Sequence, residues 1–217
     1  MTGKEETWRL FDTLGLSVDQ GLRERFEKYI DELLRWSQKI NLTATKKPEE
    51  ILSNHILCSL SYLMAFTPKP GLQAIDIGSG AGFPGIPLKI YNPDLSLTLL
   101  EPSQKKLAFL RHIGRLLQLK DVTYLAMPVE GMDREKTFDL AFARGFGPLS
   151  RLARKAGRAL RMGGLLLVRK EKNYLGEIKA AAAILAWEGL KLDKVVAITQ
   201  DRPGMDYYIL AFKKCST

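Results

Sequence analysis

The residues best placed to do chemistry lie between Ala74 and Pro87, in the string AIDIGSGAGFPGIP. An apolar run (Leu72, Ala74, Ile75, Ile77) contains Asp76 near its end. Gly78, Gly80 and Gly82 follow at alternate positions, and Gly85 stands behind Pro84. A helical segment over 84–91 comes next, and proline is tolerated in a first helical turn. Strand, glycine turn and helix in that order form the ligand corner of a doubly wound α/β fold. Glycine has no Cβ, so a ligand can lie directly on the backbone. Two ligand classes compete for the corner. Gly80-x-Gly82-x-x-Gly85 fits a dinucleotide fingerprint, with Glu101 at the spacing of a ribose ligand. Asp76 beside the loop would repel a pyrophosphate, yet would tolerate a ligand with an ammonium group and no phosphate. S-adenosylmethionine (AdoMet) is such a ligand, and these residues favour it over NAD.

Further candidates sit where later strands would end. Glu101 closes a strand over 95–100, where a carboxylate can accept both ribose hydroxyls. Pro102 and Ser103 would line the adenine, and Ser103 also reads as a helix N-cap. Val129 and Glu130 follow the third strand, where the edge of adenine would be met; a solvated loop is the other reading. Arg144, in FARGF, follows the fourth strand and would stand beside the donor methyl. The Asn/Asp-Pro-Pro-aromatic motif that amino-group methyltransferases often place there is absent. Arginine accepts no hydrogen bonds; it suits a carboxylate, a phosphate or the O6 and N7 edge of guanine. His55, in NHILCSL, lies near the polar edge of an amphipathic helix, as a structural residue or a substrate contact. Cys58 and Cys215 form no CxxC pair, and His55 and His112 are the two histidines, so no metal site is expected.

The elements that must hold these residues follow from hydrophobic periodicity. Residues 1–70 read as a helical cap: Lys4 to Leu14 as a short helix, then Leu22, Phe26, Ile30, Leu33 and Leu34 on one face of a second, with Asp19 as its cap. Pro48, Glu49 and Glu50 start another, whose apolar face runs through Ile51, Ile56, Leu60 and Leu63. Thr67-Pro-Lys-Pro-Gly71 breaks the pattern. Residues 71–217 then alternate, with strands at 72–77, 95–100, 122–126, 138–143 and 164–169. Helices at 84–91, 103–118 and 148–161 lie between them, and a shorter connection spans 127–137. A helix at 174–188 and an antiparallel pair, 192–199 and 206–212 around Asp201-Arg-Pro-Gly204, finish the chain. A mostly parallel sheet with a terminal antiparallel hairpin is how class I AdoMet methyltransferases end.

Charge points to the partner. The chain of 217 residues carries a net +9. Residues 144–172 hold nine cations against one acid, Glu171. Arg151, Arg154, Lys155, Arg158 and Arg161 recur at helical spacing opposite Leu149, Leu152, Ala153, Ala156 and Leu160. A stripe of one sign beside a ligand crevice favours a phosphate backbone. The charged start, MTGKEETWR, does not read as a signal peptide, and no apolar run approaches a membrane span, so a cytoplasmic protein is expected.

Together, Trp36, Asn41-Leu42-Thr43, His55-Ile56-Leu57, DIGSGAGFPGIPL, Lys105, Arg144 in FARGF and Lys170 resemble the glucose-inhibited division protein B family, over about residues 20–212. The resemblance implies a bacterial AdoMet-dependent methyltransferase acting on N7 of one guanine in the 530 loop of 16S ribosomal RNA. It implies cofactor contacts at Gly78, Phe83, Glu101, Pro102, Ser103, Val129, Glu130 and Arg144. It places His55, Lys105 and Lys170 on the RNA side or in the site architecture, next to the stripe of Arg151, Arg154, Lys155 and Arg158. Asn54 and Cys58 depart from the family's Arg-His-Ile-Leu-Asp-Ser pattern, and Pro128 stands where arginine is common. Guanine N7 carries a free lone pair, so no general base is expected. The small ribosomal subunit is the implied partner, and nothing in the sequence suggests more than a monomer. A non-catalytic RNA- or ribosome-binding module, a small-molecule or protein methyltransferase and an NAD enzyme are the competing readings.

Overall fold

The computed structural model describes residues 3–128, 138–145, 147–199 and 206–215. Among the described residues seven strands form one sheet in the order β3-β2-β1-β4-β5-β7-β6. They are β1 (Gln73–Ile77), β2 (Ser96–Leu100), β3 (Val122–Leu125), β4 (Phe138–Ala143), β5 (Leu160–Lys170), β6 (Leu190–Ile198) and β7 (Tyr207–Lys214). The first five are parallel, and β7 enters antiparallel between β5 and β6. Strand order reverses between β1 and β4, which places a ligand crevice at their carboxyl ends. The antiparallel pair is therefore as expected, while its Asp201–Gly204 turn lies outside the described residues.

Helices cover both faces, as strands buried on two sides require. On one face Ile75, Ile77, Ala141, Leu166 and Phe212 pack under α7 (Leu149–Ala159) and α8 (Tyr174–Trp187). On the other, Ala74, Leu97, Leu140 and Leu167 share one core with α5 (Gly85–Tyr91), α6 (Gln104–Leu116) and the cap. The cap's Trp8, Phe26, Tyr29, Leu33, Ile56 and Tyr62 belong to that core. The cap thus begins with α1 (Gly3–Thr13) and α2 (Gln20–Ser37), and Asp19 caps α2 by accepting from the Leu22 amide at 2.7 Å.

The last cap helix differs from its expected continuous form. It is a chain of short turns: α3 (Pro48–Ile51), a π-helical turn over Leu52–Leu57, α4 (Cys58–Leu60) and a 3-10 turn over Ser61–Met64. Hydroxyls draw its carbonyls aside: Ser53 donates to Glu49 O at 3.0 Å, Ser59 to His55 O at 2.6 Å and Ser61 to Cys58 O at 2.8 Å. Such back-bonding loosens a helix ladder. Among the described residues no helix is long and apolar enough to cross a membrane.

Candidate active site

Asp76 braces the glycine loop rather than lining it. Its side chain is fully buried, and Oδ2 accepts the Gly85 amide at 2.9 Å, closing the loop on itself. Burial, reinforced by the nearby charge of Glu101, pushes its pKa up to about 7, against the opposing pull of the Gly85 amide. Oδ1 is buried with no partner among the described residues and is the natural seat of a proton. The loop leaves β1 through Gly78, whose amide donates to Leu100 O at 2.8 Å. Gly78, Gly80 and Gly82 all take positive φ, at 73°, 58° and 100°.

Two of these glycines differ in what surrounds them. A Cβ on Gly82 would stand 2.6 Å from Ile86 Cγ1 and 2.9 Å from the Tyr29 hydroxyl. A Cβ on Gly80 would find only Gly78 O, at 3.8 Å. Gly82 packs inward against the protein, and Gly80 leaves room on the ligand side.

Glu101 ties the loop to the next helix. Oε2 accepts the Gly80 amide at 2.8 Å and Oε1 the Ser103 amide at 2.9 Å. A carboxylate has about four acceptor sites, so each oxygen keeps capacity for a ribose hydroxyl. Pro102 is exposed at the rim, and Ser103 is the N-cap of α6, accepting from the Lys106 amide at 3.5 Å. Lys105 is exposed on the first turn of α6. Val129 and Glu130 lie outside the described residues.

Arg144 and His55 form one unit at the end of β4. Arg144 Nη2 donates to His55 Nδ1 at 2.8 Å and to Asn54 O at 3.0 Å. A guanidinium only donates, so Nδ1 accepts and the imidazole proton sits on Nε2. That nitrogen faces the Thr43 and Thr45 hydroxyls at 3.4 and 3.3 Å. Burial, then the charges of Arg144 and Arg169, lower the His55 pKa to about 4. The ring stacks on Phe83 at 4.8 Å between centroids, and Arg144 lies over the same phenyl at 5.7 Å. Phe83 is therefore an internal spacer between loop and cap, with 8% of its surface exposed. Arg144 Nη1 is buried with no partner among the described residues.

Lys170, at the end of β5, turns to the loop after β4: Nζ donates to Gly147 O at 3.2 Å and pairs with Glu177 at 2.5 Å. It positions the Arg144 loop. Arg151, Arg154 and Arg158 are exposed along α7, and Lys155 is half-buried. The basic stripe ends there, because Arg161 lies in β5, ion-paired to Asp139.

Sequence reasoning missed Tyr29, Thr43 as a hydrogen-bond partner, and Thr45. Tyr29 is fully buried in α2, and its hydroxyl donates to Ala81 O at 2.6 Å, fastening the cap to the glycine loop. An amphipathic face gives no sign that one of its aromatics carries a needed hydroxyl. The π turn had a sign: Ile51 and Ile56 are five apart, the spacing of a π ladder.

The residues present fit AdoMet. Gly80 opens onto free space, Glu101 retains acceptors for a ribose, and Arg144 keeps an unused N–H pair for a carboxylate. Together with the strand order, this defines a class I methyltransferase. Solved structures agree on the fold: a TYW2 of M. jannaschii in complex with AdoMet (TM-score 0.61, 17% identity, 82% of this chain and 80% of that one) and a methyltransferase from Pyrococcus furiosus (TM-score 0.60, 17% identity, 87% and 98%). The family model of GidB, rRNA small subunit methyltransferase G, matches residues 22–205, and the chain belongs to that family of AdoMet-dependent enzymes. Among its relatives, ribosomal RNA small subunit methyltransferase G of Caldanaerobacter subterraneus is 35% identical over 93% of this chain and 86% of its own. That of Moorella thermoacetica is 41% identical over 72% and 67%.

Proposed function

We propose that this chain methylates N7 of a guanine in the 530 loop of 16S ribosomal RNA, by direct in-line transfer with no general base. The observation that carries the mechanism is the state of the His55–Arg144 unit. The imidazole is a candidate base at the strand ends, yet both its nitrogens are engaged, one by a guanidinium. Guanine N7 has a lone pair and no proton to lose, so such a site suffices for it. When bound, AdoMet supplies an electrophilic methyl whose sulfonium leaves as a neutral thioether.

The chain's own residues do the rest by positioning. Glu101 orients the ribose, with Gly78, Pro102 and Ser103 alongside, and Val129 and Glu130 are proposed to meet the adenine. Arg144 Nη1 takes the carboxylate, which offsets its charge near a product ring that becomes cationic. Alignment at roughly 3–3.5 Å is enough to account for a large part of the rate. N7 faces a deep, narrow groove in A-form RNA, so the target must be unpaired or flipped out. Lys105 on the rim and the α7 stripe of Arg151, Arg154, Lys155 and Arg158 are proposed to carry the RNA, and His55 and Lys170 to hold the wall of the site. The chain is proposed to act as a cytoplasmic monomer, with 1–70 as cap and 71–217 as methyltransferase domain.

Methyl transfer from labelled AdoMet to 16S RNA, with and without ribosomal proteins, tests this. Digestion and mass spectrometry should place one methyl on N7 of a 530-loop guanine. A methyl on an exocyclic amine, or on a different segment, would overturn the assignment.

A further inference from the structure

Helix α8 is apolar on both sides. Ala181 and Leu185 are buried against the sheet, while Ala180, Ala183 and Trp187 face out. Trp187 is 80% exposed, and its ring has no aromatic or cationic partner among the described residues. A helix that is apolar all round is normally covered. Its neighbour α7 is the basic helix, and the two run side by side over the same sheet face, both away from the crevice. They touch at their far ends, where a Cβ on Gly157 would meet Glu188 Cβ at 2.7 Å.

That contact places the remaining residues. Arg158 follows Gly157 and Trp187 precedes Glu188. At 3.6 residues per turn, Arg154 points outward on the flank of α7 nearer α8, and Arg158 points directly outward beside it. Trp187, Ala183 and Ala180 point outward on the flank of α8 nearer α7. Arg154 and Arg158 are exposed and have no ion-pair partner among the described residues. The alanines leave a flat floor, with an indole at one end and two guanidiniums along one edge.

We propose that this seam is a second RNA-contact site, in which an unpaired base stacks on Trp187 while the adjoining phosphates lie on Arg154 and Arg158. The proposal rests on reading the chain as an rRNA methyltransferase and extends its RNA footprint to the end of the sheet opposite the donor cradle. Aromatic platforms flanked by single-sign cationic charge are the means by which single strands are held without sequence preference. Guanidinium forks match phosphate geometry. Arg151 to Arg158 spans about 10 Å along the helix axis, so a strand leaving the crevice along α7 reaches the indole.

The test uses the full chain with Trp187→Ala, Trp187→Phe and a double Arg154→Gln, Arg158→Gln variant. The probes are a short single-stranded oligouridine and protein-free 16S RNA. Trp187→Ala should weaken oligouridine binding about tenfold, within the range stacking supplies, and abolish the quenching of exposed indole emission that RNA causes in the parent. Trp187→Phe should keep most of the affinity. The double variant should weaken binding and flatten its salt dependence. AdoMet affinity should hold in all three, with KM for 16S RNA raised in Trp187→Ala and in the double variant. Parent-like RNA affinity in Trp187→Ala overturns the proposal. So does a parent that self-associates through this face, shown by a dimer in sedimentation that only Trp187→Ala disperses. Should Trp187→Ala lose AdoMet binding through misfolding, Trp187→Phe decides by fluorescence: RNA-induced quenching present in the parent should vanish with the indole, and its persistence in that variant overturns the proposal. A parent that binds oligouridine through Trp187 but methylates no RNA would defeat the enzymatic assignment alone.

Discussion

Arg144 joins the end of β4 to the cap and to the glycine loop. It holds His55 in one tautomer, grips the Asn54 carbonyl, lies on Phe83 and keeps one nitrogen unused. Arg144→Ala should weaken AdoMet binding about ten- to a hundredfold, the range for a hydrogen bond to a charged group, as titration calorimetry would read. Unchanged AdoMet and RNA affinity with a large loss of the transfer rate would defeat its assignment. His55 makes a separate claim about acid. Its pKa is about 4 in the native state against 6.5 ordinarily, so the unfolded chain binds more protons between those values. Stability from this group is complete above about pH 6.5 and lost as pH falls toward 4. Asp76 works in the other direction: raised from 3.8 to about 7, it costs stability as pH rises through that interval. Chemical denaturation of His55→Gln at about pH 6.5 and about pH 4.5 separates the two. The variant should lose less stability on acidification than the parent, and an identical loss would count against the neutral, buried imidazole.

At the scale of elements, the glycine loop has an inner and an outer side. Gly82→Ala forces a Cβ into Ile86 and Tyr29 at φ 100° and should destabilise the fold by about 2 kcal/mol or more. Gly80→Ala meets no protein atom closer than 3.8 Å, so it should cost about 1–2 kcal/mol for its backbone conformation alone while abolishing AdoMet binding. Thermal melts with and without AdoMet distinguish them: Gly80→Ala should melt a few degrees below the parent and show no ligand-induced rise, and Gly82→Ala should melt lower still. Tyr29→Phe removes the hydroxyl that joins α2 to the loop and leaves the Ala81 carbonyl unpaired, at about 1–3 kcal/mol. The π turn explains how a residue on the cap reaches the strand ends. Widening the helix at Leu52–Leu57 goes with His55 lying against Phe83 and Arg144.

Over the whole molecule, the cap and the sheet are one packed body on the donor side, and the cationic helix lies on the opposite face. Arg151, Arg154, Lys155 and Arg158 neutralised together should weaken RNA binding and reduce the slope of log K against log salt. The reduction should be about 0.7 for each phosphate of a single strand that is no longer neutralised. A titration series in salt checks it, and a slope equal to the parent's would remove α7 from the interface. The same change should leave AdoMet affinity untouched, because α7 carries its charges outward and away from the glycine loop.

What the sequence determined alone was local and periodic. Alternating apolar runs, the glycine turn, Ser103 and Asp19 as caps, and the terminal strand pair all came from short-range rules, since backbone geometry and one-sided burial act within a few residues. The strand-end positions of Glu101 and Arg144 followed from the same alternation. Tertiary structure decided which groups meet. Asp76 is spent on Gly85, Lys170 on Gly147 and Glu177, and Phe83 on His55. Tyr29, 52 positions from Ala81, holds the loop. These pairings join elements far apart in the chain, and their partners are chosen by how the cap docks on the sheet, a collective packing that no single stretch of sequence encodes.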